Sequence, residues 1–181
     1  HAFIVSEAFL HGMQVFDLAG LPAREDAPQP LAASAHYAAF GNAHNLALDE
    51  ETGFAFAVGT RTCGRGLHMV DVTRPLEPLF AGCFADDGYT HDAHCVVYRG
   101  PDAEYRGREV CFNSNEDTLT VVDVSSKDAP RMLSRTPYPG ARYAHQGWLT
   151  DDHAHFLLND ELDELGSRHP TRTYVWDVSD L

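Results

Sequence analysis

One short pattern recurs four times along the chain, and that recurrence constrains the fold more than any other feature. It reads Gly12-Met13-Gln14-Val15-Phe16-Asp17-Leu18, Gly66-Leu67-His68-Met69-Val70-Asp71-Val72, Asp117-Thr118-Leu119-Thr120-Val121-Val122-Asp123-Val124 and Arg172-Thr173-Tyr174-Val175-Trp176-Asp177-Val178. The matching aspartates lie 54, 52 and 54 residues apart. Each segment is rich in β-branched and aromatic side chains, the composition of a strand. Each aspartate is placed to end its strand and cap the following turn through its carboxylate. Pro78 and Pro130 both fall seven residues after their aspartate. A proline there starts the next strand at a sheet edge, where a missing N–H is tolerated.

The surrounding residues fill out the unit. A strand precedes each marked segment, at residues 2–6, 54–59, 109–113 and 155–159. A further upstream strand opens with histidine in three repeats, at His44, His91 and His145, and a fourth strand follows the proline over residues 79–84 and 132–136. Turn residues separate them, as at residues 49–53, 99–102 and 150–152. The expected fold is therefore all-β: four-stranded antiparallel meanders of about 53 residues, the length and strand count of β-propeller blades. About three and a half repeats are present, with blades at 1–40 (partial), 41–84, 88–136 and 142–181 (partial) of a single region spanning 1–181. That is too few to close a ring, so the reading is part of a larger propeller. A sandwich of hairpins is the other all-β repeat to weigh. Residues 23–39, with their alanines and prolines, read as a long connection.

Several strings resemble a known family. Gly-Leu-His-Met-Val-Asp-Val and Thr-Leu-Thr-Val-Val-Asp-Val resemble the LVIVD repeat, and residues 44–180 are similar to the choice-of-anchor B proteins. The similar stretches include Glu51-Thr52-Gly53-Phe54-Ala55-Phe56-Ala57-Val58-Gly59-Thr60, Gly88-Tyr89-Thr90-His91-Asp92, Cys111-Phe112-Asn113-Ser114-Asn115-Glu116-Asp117 and His145-Gln146-Gly147-Trp148-Leu149-Thr150. The resemblance implies a bacterial propeller that is extracellular, periplasmic or at the cell surface, with its anchor elsewhere. It implies no particular chemistry.

The four cysteines fit an exported protein. Cys95 and Cys111 fall in neighbouring strands of one blade, within disulfide reach, which leaves Cys63 and Cys83 as the second pair. Buried free thiols are the other reading.

Of the 11 histidines, His44, His91 and His145 hold matched positions at the start of an innermost strand. In a radial array they converge at one mouth of the central channel and suit Zn, Cu or Fe, for which neutral imidazole is a good ligand. Asn45, Asp92 and Gln146 follow them and can support the ligands by hydrogen bonding. Asp160 and Glu161 occupy a loop position that can face the same mouth. Alternatively, each imidazole simply bonds the backbone of the adjacent blade. His94 falls on the opposite strand face from His91. His68 and His155 read as packing residues; His1, His11, His36, His153 and His169 read as solvated. Acidic loops at Glu7, residues 115–117 and residues 159–164 offer oxygen ligands for Ca²⁺, or are simply solvated.

A formal net charge of −14 argues against nucleic acid as a partner, because phosphate binding needs basic surface. No apolar run reaches the roughly 18 residues of a membrane helix. No Gly-x-Ser-x-Gly elbow, P-loop or His-Glu-x-x-His motif is present. Three functions follow. The leading one is a binding or scaffold module that meets a protein partner, a glycan or a metal. The second is a metal-dependent hydrolase or oxidase built on the histidines, with Asp92 or Glu161 as base; methanethiol oxidase and selenium-binding propellers are a fold-level analogy. The third is a subunit docked through open blade edges to a partner or to the remainder of its propeller.

Overall fold

The computed structural model describes residues 1–21 and 30–181. Four antiparallel sheets follow one another along the chain. The first contains β1 (Ala2–Val5), β2 (Met13–Phe16) and β3 (Ala35–Tyr37). The second contains β4 (Asn45–Asp49), β5 (Phe54–Val58), β6 (Leu67–Asp71) and β7 (Leu79–Phe84). The third contains β8 (Asp92–Val97), β9 (Glu109–Ser114), β10 (Thr118–Asp123) and β11 (Arg131–Pro137). The fourth contains β12 (Ala144–Leu149), β13 (His155–Asp160) and β14 (Thr173–Asp177). Strand order within every sheet is the order of the chain. Among the described residues helix is confined to α1 (Asp163–Ser167) and two short 3-10 turns.

Each repeated aspartate ends its strand as a turn-forming side chain. Asp17 accepts the backbone N–H of Ala19, Asp71 that of Thr73, Asp123 that of Ser125 and Asp177 that of Ser179. The same two-residue spacing recurs because a carboxylate reaching two residues ahead mimics a backbone turn. β7 and β11, which follow the two prolines, are edge strands. The pairing of β6 with β7 shifts register between Met69 and Val70, and that of β10 with β11 shifts between Val121 and Val122. Both shifts fall at the same position relative to the aspartate, so the bulge is part of the repeat.

Burial explains the strand patterns. The third sheet is covered on both faces, and every residue of β9 and β10 is buried. An end sheet has a covered and an open face, and β14 alternates between exposed and half-buried positions. Three apolar layers fill the intervals. Met13, Val15, Tyr37 and Phe40 meet Ala55, Ala57 and Val70 between the first and second sheets. Phe56, Val58 and Met69 meet Cys95, Cys111 and Val122 between the second and third. Phe112, Leu119 and Val121 meet Leu149, Phe156 and Leu158 between the third and fourth, with the Phe112 and Phe156 rings stacked at 5.3 Å. Within this row the first strands β4, β8 and β12 lie side by side. No sheet among the described residues closes on itself.

Polar ties cross the same intervals. Asp87, in the loop after β7, accepts hydrogen bonds from Asn115, Thr118, Thr120 and Arg135 of the third sheet. Glu109 on β9 accepts from Thr52 of the second sheet at 2.6 Å and is paired with Lys127. Lys127 in turn lies 3.9 Å over the Phe54 ring. The cysteines form two disulfides: Cys95–Cys111 links adjacent strands of one sheet, and Cys63–Cys83 ties a turn to β7.

Two expectations are corrected. Residues 35–37 are not connection but β3, which pairs with β2 through Met13, Gln14 and Val15. The rest of the expected connection falls partly on residues 22–29, outside the described residues. His155 is exposed rather than packed.

Candidate metal centre

The backbone brings the three histidines together in one way and their surroundings divide them in another. The His44 N–H donates to the Val58 carbonyl at the end of β5, and the His91 N–H donates to the Ser114 carbonyl at the end of β9. His145 is the second residue of β12, where the pairing with β13 shifts register between Ala144 and Gln146. Such a bulge re-aims a side chain relative to the regular pleat. The N–H of Ala144 also donates to the Glu116 carbonyl of the third sheet, at 2.6 Å. The three imidazoles form a row, with ring centres 4.1 Å apart for His44–His91 and 4.7 Å for His91–His145.

The hydrogen bonds then assign roles. Nδ1 of His91 lies 2.9 Å from the His145 carbonyl oxygen. A carbonyl can only accept, so Nδ1 carries the proton and Nε2 keeps its lone pair. This backbone contact is the arrangement that holds a metal-binding histidine in orientation, and equally the one by which a histidine braces two sheets. Burial, reinforced by the neighbouring His44 and His145, pushes the His91 pKa down against the raising effect of that carbonyl. The neutral form is thereby favoured, and only it can ligate.

His91, His145 and Glu161 each bring one ligand atom to within 4.8 Å of the others. Glu161 arrives from the loop after β13, where its N–H donates to the Tyr143 carbonyl at 3.0 Å, and its carboxylate lies 3.8 Å from His145 Nε2. His44 is diverted: its Nδ1 lies 2.9 Å from a Glu7 carboxylate oxygen. Two imidazoles and a carboxylate suit a borderline cation such as Zn²⁺, Fe²⁺ or Cu²⁺. They do not suit Ca²⁺, which requires six or more oxygens.

The remaining predicted residues fall elsewhere. Asp160 is fully buried and spends its oxygens on the Tyr138 hydroxyl and on the N–H groups of Arg142, Tyr143 and Leu162. It shapes the loop that carries Glu161 and does not join the histidines. Asn45, Asp92 and Gln146 line a cleft along β4, β8 and β12. Asn45 donates to Asp92 at 2.7 Å, whereas the histidines bond to Glu7 and to backbone. Burial pushes the Asp92 pKa up, opposed by the backbone N–H of Ala93 and by His91, Asn45 and His145. Among the acidic loops, Asp117 lies 3.5 Å from Arg135 and Asp163 is paired with Arg172. Among the described residues no second group of three such ligands converges.

Two tyrosines were not legible in the sequence. Tyr143 meets His91 edge-on at 5.1 Å, and Tyr89 lies 6.2 Å from it. Burial raises both hydroxyl pKa values, so both stay protonated as hydrogen-bond donors; for Tyr143 the nearby Tyr89 and Glu116 add to the effect, and for Tyr89 the Arg65 guanidinium opposes it. Gly59, with φ of +61°, is required beside them. A Cβ there would lie 2.6 Å from the His44 Cβ and 3.0 Å from the Tyr89 hydroxyl.

No helix among the described residues is long and apolar enough to cross a membrane. Comparison with protein-family models gives no match, and comparison with curated proteins gives none.

Proposed function

We propose that the chain is a segment of an exported β-propeller, acting as a binding module whose channel mouth holds one divalent transition metal through His91, His145 and Glu161. The observation that carries the reading is the convergence of those three ligand atoms within 4.8 Å, with His91 already in the tautomer that presents Nε2. The propeller reading is supported by the sequential strand order of each sheet, the apolar layer between successive sheets and the adjacency of β4, β8 and β12. The resemblance to LVIVD-repeat and choice-of-anchor B proteins agrees with it. Export is supported by the two disulfides, which are typical of oxidising compartments. The exposure of Ile4 on the first sheet and of Val175 on the last agrees with further blades or a protein partner joining there.

The test is elemental analysis of protein purified without chelator or nickel resin, alongside His145→Ala and Glu161→Gln. Near-stoichiometric zinc, iron or copper that falls in both variants is expected. Equal metal content in wild type and variants, or none in either, removes the metal centre and leaves the histidines as braces between sheets. Hydrolase or oxidase activity that follows the metal content would convert the binding module into an enzyme.

A further inference from the structure

Beneath the histidine mouth runs the cleft along the first strands, with a volume of about 690 Å³. That is within the range of sites for small organic ligands. Its lining is unusual in one respect. Trp148 on β12 is 68% exposed, although tryptophan is among the side chains most strongly drawn to burial. The indole is nevertheless held, lying 3.9 Å from the His94 ring at a tilt of 40°. A fixed, flat, solvent-facing ring inside a cleft is a stacking platform.

The rest of the lining states what the platform would receive. Asn45, Asp92 and Gln146 bring planar amide and carboxylate groups, which present paired donors and acceptors. Asn45 already fixes the Asp92 carboxylate at 2.7 Å. At the other end of β4, Asp49 lines the cleft while only 7% exposed, and its Oδ2 has no hydrogen-bond partner among the described residues. The lining contains no lysine or arginine but does contain Asp49, Glu50 and Asp92, so an anionic ligand would be repelled. A quaternary cation wants several aromatic faces around it, and the lining offers one indole backed by one imidazole. The five residues of β4 from Asn45 to Asp49 span roughly 13 Å at strand rise, the length of a short oligosaccharide.

We infer that this cleft is a binding site for a neutral saccharide, which stacks on Trp148 and bonds through its hydroxyls to Asn45, Asp92 and Gln146. The site adjoins the candidate metal centre, with Asp92 and Gln146 following His91 and His145 in the chain, but the inference does not rest on a bound metal.

Calorimetry and tryptophan fluorescence with cellotetraose, maltotetraose, xylotetraose and chitotetraose test the inference, each with and without EDTA. At least one of these is expected to bind with Kd below about 1 mM and to change the emission of the exposed indole. Trp148→Ala should weaken that binding at least about tenfold with an unchanged melting curve, because the side chain supports little of the core. Gln146→Ala, also at an exposed position, should weaken it less. Binding should be unaffected by EDTA. Failure of all four sugars to bind, unchanged binding in Trp148→Ala, loss of binding with EDTA, or preferential binding of tetramethylammonium would each overturn it.

Discussion

Acidification should destabilise this fold through His68, well before the carboxylates titrate. His68 on β6 is 2% exposed. Its Nε2 lies 2.9 Å from the Tyr37 hydroxyl and its Nδ1 lies 2.7 Å from the Thr62 hydroxyl. The edges of Phe40 and Phe80 close over it, each with ring centres 5.1 Å away. Burial in this aromatic box holds its pKa down from 6.5 to about 4. In the unfolded chain the imidazole takes up its proton near pH 6.5, whereas in the folded chain it resists until about pH 4. Protons therefore favour the unfolded state throughout that interval. The contribution is complete above pH 6.5 and is lost as pH falls towards about 4. The gap corresponds to about 3 kcal/mol, of which about 2 kcal/mol is gone by about pH 5. Urea denaturation of wild type and His68→Gln at about pH 7 and about pH 5 measures it. Glutamine keeps an amide able to meet Tyr37 and Thr62 but does not titrate. The variant should lose about 2 kcal/mol less than wild type between the two conditions. Histidines common to both proteins, including His94, whose pKa burial also lowers to about 4, cancel in the difference. Identical pH dependence in the two proteins would refute the reasoning.

Three other perturbations have defined outcomes. Lys127→Met strands the buried Glu109 carboxylate and should cost about 3–5 kcal/mol by thermal or urea denaturation, whereas Lys127→Met with Glu109→Gln should recover most of it. Because burial raises the Glu109 pKa, its contribution also falls as pH rises from the unfolded carboxylate range through the folded value. Removing either disulfide with paired Cys→Ala changes should cost about 3 kcal/mol in urea, since the closed loops span 16 and 20 residues. Gly59→Ala should cost roughly 1–3 kcal/mol through its left-handed backbone. It should also lower metal affinity, in a zinc titration, by pushing His44 and Tyr89 against His91.

The parts of the fold written in the repeat were legible because each repeat unit states its own local chemistry. Asp71 and Asp123 cap turns in the same way, and the prolines after them mark edge strands. β3 was not legible because three residues, Ala-His-Tyr, following an alanine- and proline-rich stretch carry no strand pattern of their own. Their pairing to β2 and the burial of Tyr37 beside His68 select the conformation. His155 misled for a related reason. Its place in a strand was readable, but which side of the last sheet lacks a neighbour is a property of the assembly, not of the segment.

The candidate metal centre shows where repeat reasoning runs out. Matched positions bring His44, His91 and His145 into one row, yet matched positions do not make matched ligands. His44 turns to Glu7, while the bulge at the start of β12 places His145 where the Glu161 carboxylate can share a cation with it. The acid comes from the loop after β13, and it is held there by the buried Asp160 at its base. A symmetric ring of imidazoles would offer equivalent nitrogens and little selectivity. Breaking the symmetry with one carboxylate supplies a charged ligand on one side, while Tyr89 and Tyr143 lie beside His91. The asymmetry of the loops, rather than the repeat itself, is therefore the feature that a metal-binding mouth would depend on. Exchanging Glu161 should matter more to metal retention than exchanging His44.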